Sequence, residues 1–192
     1  MTARGLQLML RTGQRGGEVF EMRWADVDET SGWWTIPSEK AKNGQAHRVP
    51  LTEAAVALVA EARADGSGPS GWVFAGPQGG SLKVKGVKAI PILRACGLLT
   101  DDPALIRYWR HDLRRTVATG MERIGVATST ISKVMNHVDA GPRATKIYAR
   151  HDYDREKREA LEAWGRHLDA LLTGHASRDA VVVRFSGRRP RR

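Results

Sequence analysis

Apolar positions Leu6, Met9 and Leu10 recur at helical spacing, so residues 3 to 12 predict a helix. Thr12-Gly13 interrupts it, and a second short helix is expected across Glu18 to Arg23. The pattern then changes. Trp33-Trp34-Thr35-Ile36 is aromatic and β-branched, as strands are, and His47-Arg48-Val49-Pro50-Leu51 returns as a second strand after the turn signal Asn43-Gly44. This predicts a β-hairpin with Lys40, Lys42 and Asn43 near its tip. Thr52 is placed to cap an alanine-rich helix to Ala64, ended by Asp65-Gly66-Ser67-Gly68-Pro69. Trp72-Val73-Phe74 reads as a third short strand, and residues 82 to 95 as a helix that Pro91 bends or splits. Further helices are expected from Ile106 to Ile124, closed by Gly125, from Thr128 to Met135, and from Asp152 to Leu172, the last long, charged and amphipathic. Ala180 to Phe185 is strand-like. There is no internal repeat and no βαβ alternation. The fold expected is mainly α with a small antiparallel β-sheet (α+β), and the missing alternation argues against a Rossmann-type sheet.

Composition changes this picture little. A chain of 192 residues with 41% hydrophobic residues suits one medium domain with a real core. We divide it into a domain at 1–175 and a basic, flexible tail at 176–192. No apolar run approaches bilayer length, and the amino terminus lacks the pattern of a signal peptide. Cys96 is the single cysteine, which excludes an internal disulfide and fits a reducing cytoplasm. The net charge of +10 points to a polyanionic partner, nucleic acid before membrane surface. Half of that excess sits in the last nine residues, which hold five arginines and no acid. Bulk charge is therefore weak evidence, and position has to carry the argument.

Arg15 stands in Thr12-Gly13-Gln14-Arg15-Gly16-Gly17-Glu18, where glycines permit a sharp turn and close approach to a ligand. His111 and Arg114 are spaced i and i+3, so they share a helix face, with Arg110 and Arg115 beside them. An imidazole moves protons near neutral pH, and a guanidinium can grip two phosphate oxygens. His137 follows a short helix, and Tyr148 comes eleven residues later. Each residue alone has an ordinary reading: a surface arginine, a solvated basic face, a capping histidine, a packed tyrosine. His111, His137 and His151 lack a paired metal-ligand spacing, and no serine is flanked by glycines as a hydrolase nucleophile would be. In order, however, two arginines, two histidines, a hairpin lysine and a tyrosine are what attack on a phosphodiester without metal requires. Arginines neutralise charge building on phosphate, a histidine takes the proton of a phenol whose pKa is about 10, and a lysine protonates the departing oxygen.

The set resembles the tyrosine recombinase, or phage integrase, family. The marks are Thr-Gly-Gln-Arg-Gly-Gly-Glu at 12–18, the hairpin with Lys42-Asn43-Gly44 and His47 to Leu51, His-Asp-Leu-Arg at 111–114, Met-Asn-His at 135–137 and Ile-Tyr-Ala-Arg at 147–150. The run from Asp154 to Leu161, with Trp164, is similar to the family's helix after the tyrosine. The resemblance spans roughly residues 5 to 170 and implies a catalytic-domain fold of that family. It implies that Tyr148 attacks the scissile phosphate to give a 3′-phosphotyrosine and a 5′-hydroxyl. Arg15 and Arg114 would hold the non-bridging oxygens, His111 would be general base, His137 would hydrogen-bond the phosphate, and Glu18 would orient Arg15 or the histidine pair. Lys42 would be the general acid, with Lys40 the competing choice. Lys40, Arg48, Arg110, Arg115, Lys133 and Arg150 would contact DNA. The bond energy stays in the phosphotyrosine, so no ATP, metal or other cofactor is implied. The implied partners are double-stranded DNA and further copies of the chain, a tetramer on DNA and a monomer in solution, in the cytoplasm at the nucleoid, with no membrane.

Relatives of this kind carry an amino-terminal helical domain that clamps DNA, whereas about a dozen residues precede Arg15 here. The expectation is a catalytic domain without that clamp. Three other readings stand beside it: a DNA-binding remnant without turnover, a type IB topoisomerase-like relaxing enzyme, and a basic helical protein for RNA or membrane in which the matches are accidental. The helix from Asp152 has an apolar stripe of Leu161, Trp164, Leu168, Leu171 and Leu172. It packs either on its own domain or, as the family resemblance implies, on a neighbouring protomer.

Overall fold

The computed structural model describes residues 1–64, 71–83, 109–137 and 153–174, with the side chains of 109–111 outside that description. The described elements are α1 (Thr2–Thr12), α2 (Gly16–Phe20), a 3-10 turn (Trp24–Asp26), β1 (Val27–Asp28), β2 (Trp33–Ile36), β3 (His47–Pro50), α3 (Glu53–Ala64), α4 (Trp109–Arg123), α5 (Thr128–Val134) and α6 (Asp154–Leu172). The fold is mostly helical with one small antiparallel sheet, as the sequence pattern implies. The strand expected at 180–185, and all but the first two residues of the helix expected over 82–95, lie outside the described residues, as does the arginine-rich tail.

α1 buries Gly5, Leu6, Leu8, Met9 and Thr12, so its core face is turned toward Leu8 and away from the half-buried Leu10. Gly5 is needed on that face because Phe20 packs on it, with Cζ 2.6 Å from where a Cβ would stand. α2 begins two residues earlier than its pattern suggests and ends at Phe20. The reason is capping: Glu18 reaches back and accepts the Arg15 backbone N–H at 3.1 Å, fixing the first turn at Arg15.

The sheet order is β1-β2-β3, with Trp34 opposite Val49 and Ile36 opposite His47. Alternation puts His47 and Val49 inward and Arg48 outward. The third strand is Val27–Asp28. Trp72 makes only an isolated bridge to Arg23, which corrects the strand expected at Trp72 to Phe74. Val73 and Phe74 are nonetheless fully buried, and Phe74 meets Phe20 edge-on at 5.8 Å. α3 starts after Thr52, but through its carbonyl, which accepts from Ala55 and Val56. The Thr52 hydroxyl finds no partner among the described residues, so the expected side-chain cap is absent.

α6 lies across α1, α4, α5 and β3. Its Trp164 is buried against Gly120 of α4, where Cη2 comes within 2.7 Å of a notional Cβ, and its Nε1 donates to Leu10 O at 2.8 Å. Leu161, Trp164 and Leu168 are thus buried within their own chain, and only Leu171 and Leu172 of the stripe are exposed. At its start Lys157 is buried, ion-paired with Asp154 at 2.7 Å and donating to the Arg48 carbonyl at 2.8 Å. That ties α6 to β3.

Candidate active site

The site is built around the carboxyl end of α5. The last carbonyls of a helix have no partner within it. Here side chains from three distant segments supply the donors. Val134 O accepts from Gln14 Nε2 at 2.8 Å and pairs with His47 Nε2 at 3.2 Å, and Met135 O accepts from Arg114 Nη2. Arg114 Nη1 also donates to Gly13 O at 2.6 Å. The turn after α1, strand β3, α4 and the end of α5 therefore meet at two peptide groups. Gly13 is required twice over. Its φ is +68°, and a Cβ there would stand 3.0 Å from Met135 Cε and 3.1 Å from Val117 Cγ1.

This junction sets the chemical groups. Arg15, two residues past Gly13, caps α2 and pairs through Nη1 with Glu18 Oε1 at 3.0 Å. Glu18 is buried and holds the guanidinium from one side. Arg114 is 7% exposed, and burial, then the charge of Arg15, pushes its pKa down to about 10 against the pull of Glu18. It remains a cation at neutral pH. Of its five N–H donors, two are spent on carbonyls, and the other three have no partner among the described residues. His137 follows Asn136, which sits in the left-handed region at φ 49°. Its backbone N–H donates to Ser132 O at 3.0 Å and its side chain is exposed. Partial desolvation, then the charges of Arg114 and Arg15, hold its pKa below the usual value. The ring is neutral at neutral pH and within the field of both arginines. Arg15, Glu18, Arg114 and His137 are thus brought into one cluster.

His47 and Gln14 belong to the same junction and are not legible as such in the sequence. His47 is buried, and its pKa falls to about 4 through burial first, then the positive charges of Lys157, Arg114 and Arg15. The one signal for it is the inward register of β3. Gln14 is fully buried and bridges Thr12 O and Val134 O.

The hairpin lysines separate. Lys40 Nζ is paired with Asp26 at 2.9 Å and lies 5.7 Å from the Trp72 ring centroid. Lys42 is exposed, in the turn that leads to Asn43 and Gly44. Asn43 Nδ2 donates to Asn136 Oδ1 at 2.8 Å. Among the other basic residues, Arg48 pairs with Asp154 and stacks 4.3 Å from the Trp33 ring centre, Lys133 Nζ lies 5.0 Å from that of Tyr153, and Arg115 is exposed. Arg110 and His111 fall on the first turn of α4, and their side chains lie outside the described residues. Tyr148 and Arg150 also lie outside them. No helix among the described residues is long and apolar enough to cross a membrane.

The model of the phage integrase family matches residues 2–155. Prophage integrase IntA of Escherichia coli K12 is 26% identical over 165 residues, covering 86% of this chain and 38% of IntA. IntF of the same strain is 29% identical over 164 residues, covering 83% and 33%. Tyrosine recombinase XerC of Xanthomonas campestris is 27% identical over 149 residues, covering 77% and 44%. Among solved structures, an integrase from mycobacterium phage Brujita matches with a TM-score of 0.61 at 22% identity, over 85% of this chain and 51% of that one. The XerH site-specific recombinase, bound to its difH substrate, matches with a TM-score of 0.55 at 19% identity, over 84% of this chain and 46% of that one. The structural likeness is one of fold. The chain spans less than half the length of these curated relatives. A match over most of the chain leaves no room for an accidental set of motifs: this chain belongs to the phage integrase family.

Proposed function

We propose that this chain carries out the cleavage and rejoining step of site-specific DNA recombination through a covalent bond between DNA and Tyr148. The observation that carries the proposal is the clustering of Arg15, Arg114 and His137 on one junction of tied carbonyls. Two fixed guanidiniums beside a neutral imidazole match a phosphate whose charge grows in the transition state. Pre-organisation matters here because donors already held in place need no rearrangement as the reaction proceeds.

In the mechanism, the Tyr148 oxygen attacks phosphorus while His111 takes its proton. The bond from phosphorus to the 5′ oxygen breaks, and that oxygen takes a proton from Lys42. The 3′-phosphotyrosine keeps the bond energy, and attack by a 5′-hydroxyl reverses the steps. Lys42 is preferred to Lys40 as the acid because the Lys40 ammonium is already engaged by Asp26. Arg48 is better read as a tie between β3 and α6 than as a DNA contact, since Asp154 and Trp33 hold it. Double-stranded DNA is the partner. Assembly into a tetramer on DNA would use surface other than Leu161, Trp164 and Leu168, which are covered by their own chain.

The test is covalent trapping on a pool of nicked suicide duplexes randomised around the nick, read on a denaturing gel. The wild-type chain should give a protein–DNA adduct, and Tyr148→Phe should give none while still binding the pool. An adduct that survives in Tyr148→Phe moves the nucleophile to another residue, Tyr153 first. No adduct in either protein overturns the catalytic reading and leaves a DNA-binding remnant.

A further inference from the structure

The loop from residue 37 to 46, which carries Lys42, is internally folded. The backbone N–H groups of Lys40 and Ala41 both donate to Pro37 O at 3.0 Å, and that of Gly44 donates to Ala41 O at 2.9 Å. Gln45 N–H donates to Asn43 Oδ1 at 3.2 Å, which orients the Asn43 side chain. Ala41 of the loop is buried in the core, and among the described residues two side-chain pairs hold the loop to the rest of the protein. On one flank Lys40 pairs with Asp26. On the other, Asn43 Nδ2 donates to Asn136 Oδ1 at 2.8 Å, with the reverse pair at 3.4 Å. These two asparagines are 93 positions apart in sequence, and both are half-buried. Each is one residue from a group with a chemical role, Asn43 from Lys42 and Asn136 from His137. Asn136 also occupies a left-handed conformation, which asparagine tolerates better than most residues.

We propose that Asn43 and Asn136 are positioning residues: a latch that sets the Lys42 loop against the His137 turn before DNA is bound. The proposal rests on reading Lys42 as the general acid. The latch fixes where the acid stands relative to the phosphate-binding groups. A single half-buried amide pair joins two turns that share no other hydrogen bond among the described residues. It can therefore open without unfolding either one.

The experiment uses the full chain and a duplex recovered from the trapping pool, in two forms. One has the ordinary 5′ oxygen at the scissile phosphate. The other has sulfur there, whose thiolate leaves without needing a proton. Asn136→Gly keeps the left-handed backbone and removes the amide, and Asn43→Ala removes the other half. Each should slow cleavage of the oxygen substrate by about tenfold or more, as misplacing an acid does, and the sulfur substrate should restore the rate. The double variant should be no slower than the worse single one, because both break one contact. Without DNA, Asn136→Gly should speed amide exchange across residues 38–46. Equal slowing on both substrates, or unchanged exchange in the loop, overturns the latch. Lys42→Ala is the control for the underlying reading. If sulfur does not rescue it, the acid assignment fails, and amide exchange alone then decides whether the asparagines couple the two turns.

Discussion

His47 makes the stability of this domain sensitive to acid, and the size of the effect follows from its surroundings. The ring is buried, its one hydrogen-bond partner among the described residues is Val134 O, and the charges that face it there are the cations Lys157, Arg114 and Arg15. The neutral ring with a proton on Nε2 satisfies that carbonyl, so a second proton gains nothing and meets three positive charges. A fall from 6.5 to about 4 is equivalent to about 3 kcal/mol of preference for the neutral ring. Because the folded value lies below the unfolded one, the unfolded chain binds the extra proton first. The contribution is complete above about pH 6.5 and is lost as pH falls toward 4. Against a typical total of about 5–15 kcal/mol, that is a large share. The comparison protein is His47→Gln, whose amide can still donate to Val134 O but does not titrate. Urea unfolding of both proteins at intervals from pH 7 to pH 4 isolates the histidine, because carboxylates common to both cancel in the difference. The wild type should lose about 3 kcal/mol more than the variant over that range. Parallel stability curves would refute the reasoning, since they would mean that His47 is hydrated or free to move when folded.

Arg114 is a structural tie as well as a candidate phosphate ligand, so Arg114→Lys should cost about 2 kcal/mol of stability even without DNA, because an ammonium cannot span both Gly13 O and Met135 O. An unchanged midpoint in denaturant would show that those carbonyl bonds contribute nothing. Gly120→Ala should destabilise by about 1–3 kcal/mol through overpacking against Trp164, outweighing the gain of about 1 kcal/mol in helix propensity. Denaturant unfolding in a double-mutant cycle with Trp164→Leu checks the cause, since the smaller side chain should remove most of the penalty.

Much of this protein is legible in its sequence because the relevant signals are local. Helical spacing locates α1, α3, α4 and α5 to within a few residues, and the aromatic and β-branched runs locate β2 and β3. Short motifs mark Arg15, Arg114 and His137, since each stands at a turn or helix end whose sequence is distinctive. What is not legible depends on partners far away in the chain. The third strand is Val27–Asp28 because β2 pairs there, whereas the more strand-like Trp72 to Phe74 is drawn into packing against Phe20. Leu8 replaces Leu10 on the buried face of α1 because α3 and α4 both lie against that helix.

The sequence by itself determined the helical class, the hairpin and the family, because periodicity and motif order are properties of neighbouring residues. Tertiary structure alone decided that Lys40 is engaged while Lys42 is exposed, since Asp26 is paired with the former from 14 residues away. It alone decided that the stripe of α6 packs at home, because Gly120 opens the groove that Trp164 fills. And it alone decided that Gln14, His47 and Arg114 share the end of α5, because exposed carbonyls at a helix end take whichever donors the fold brings to them.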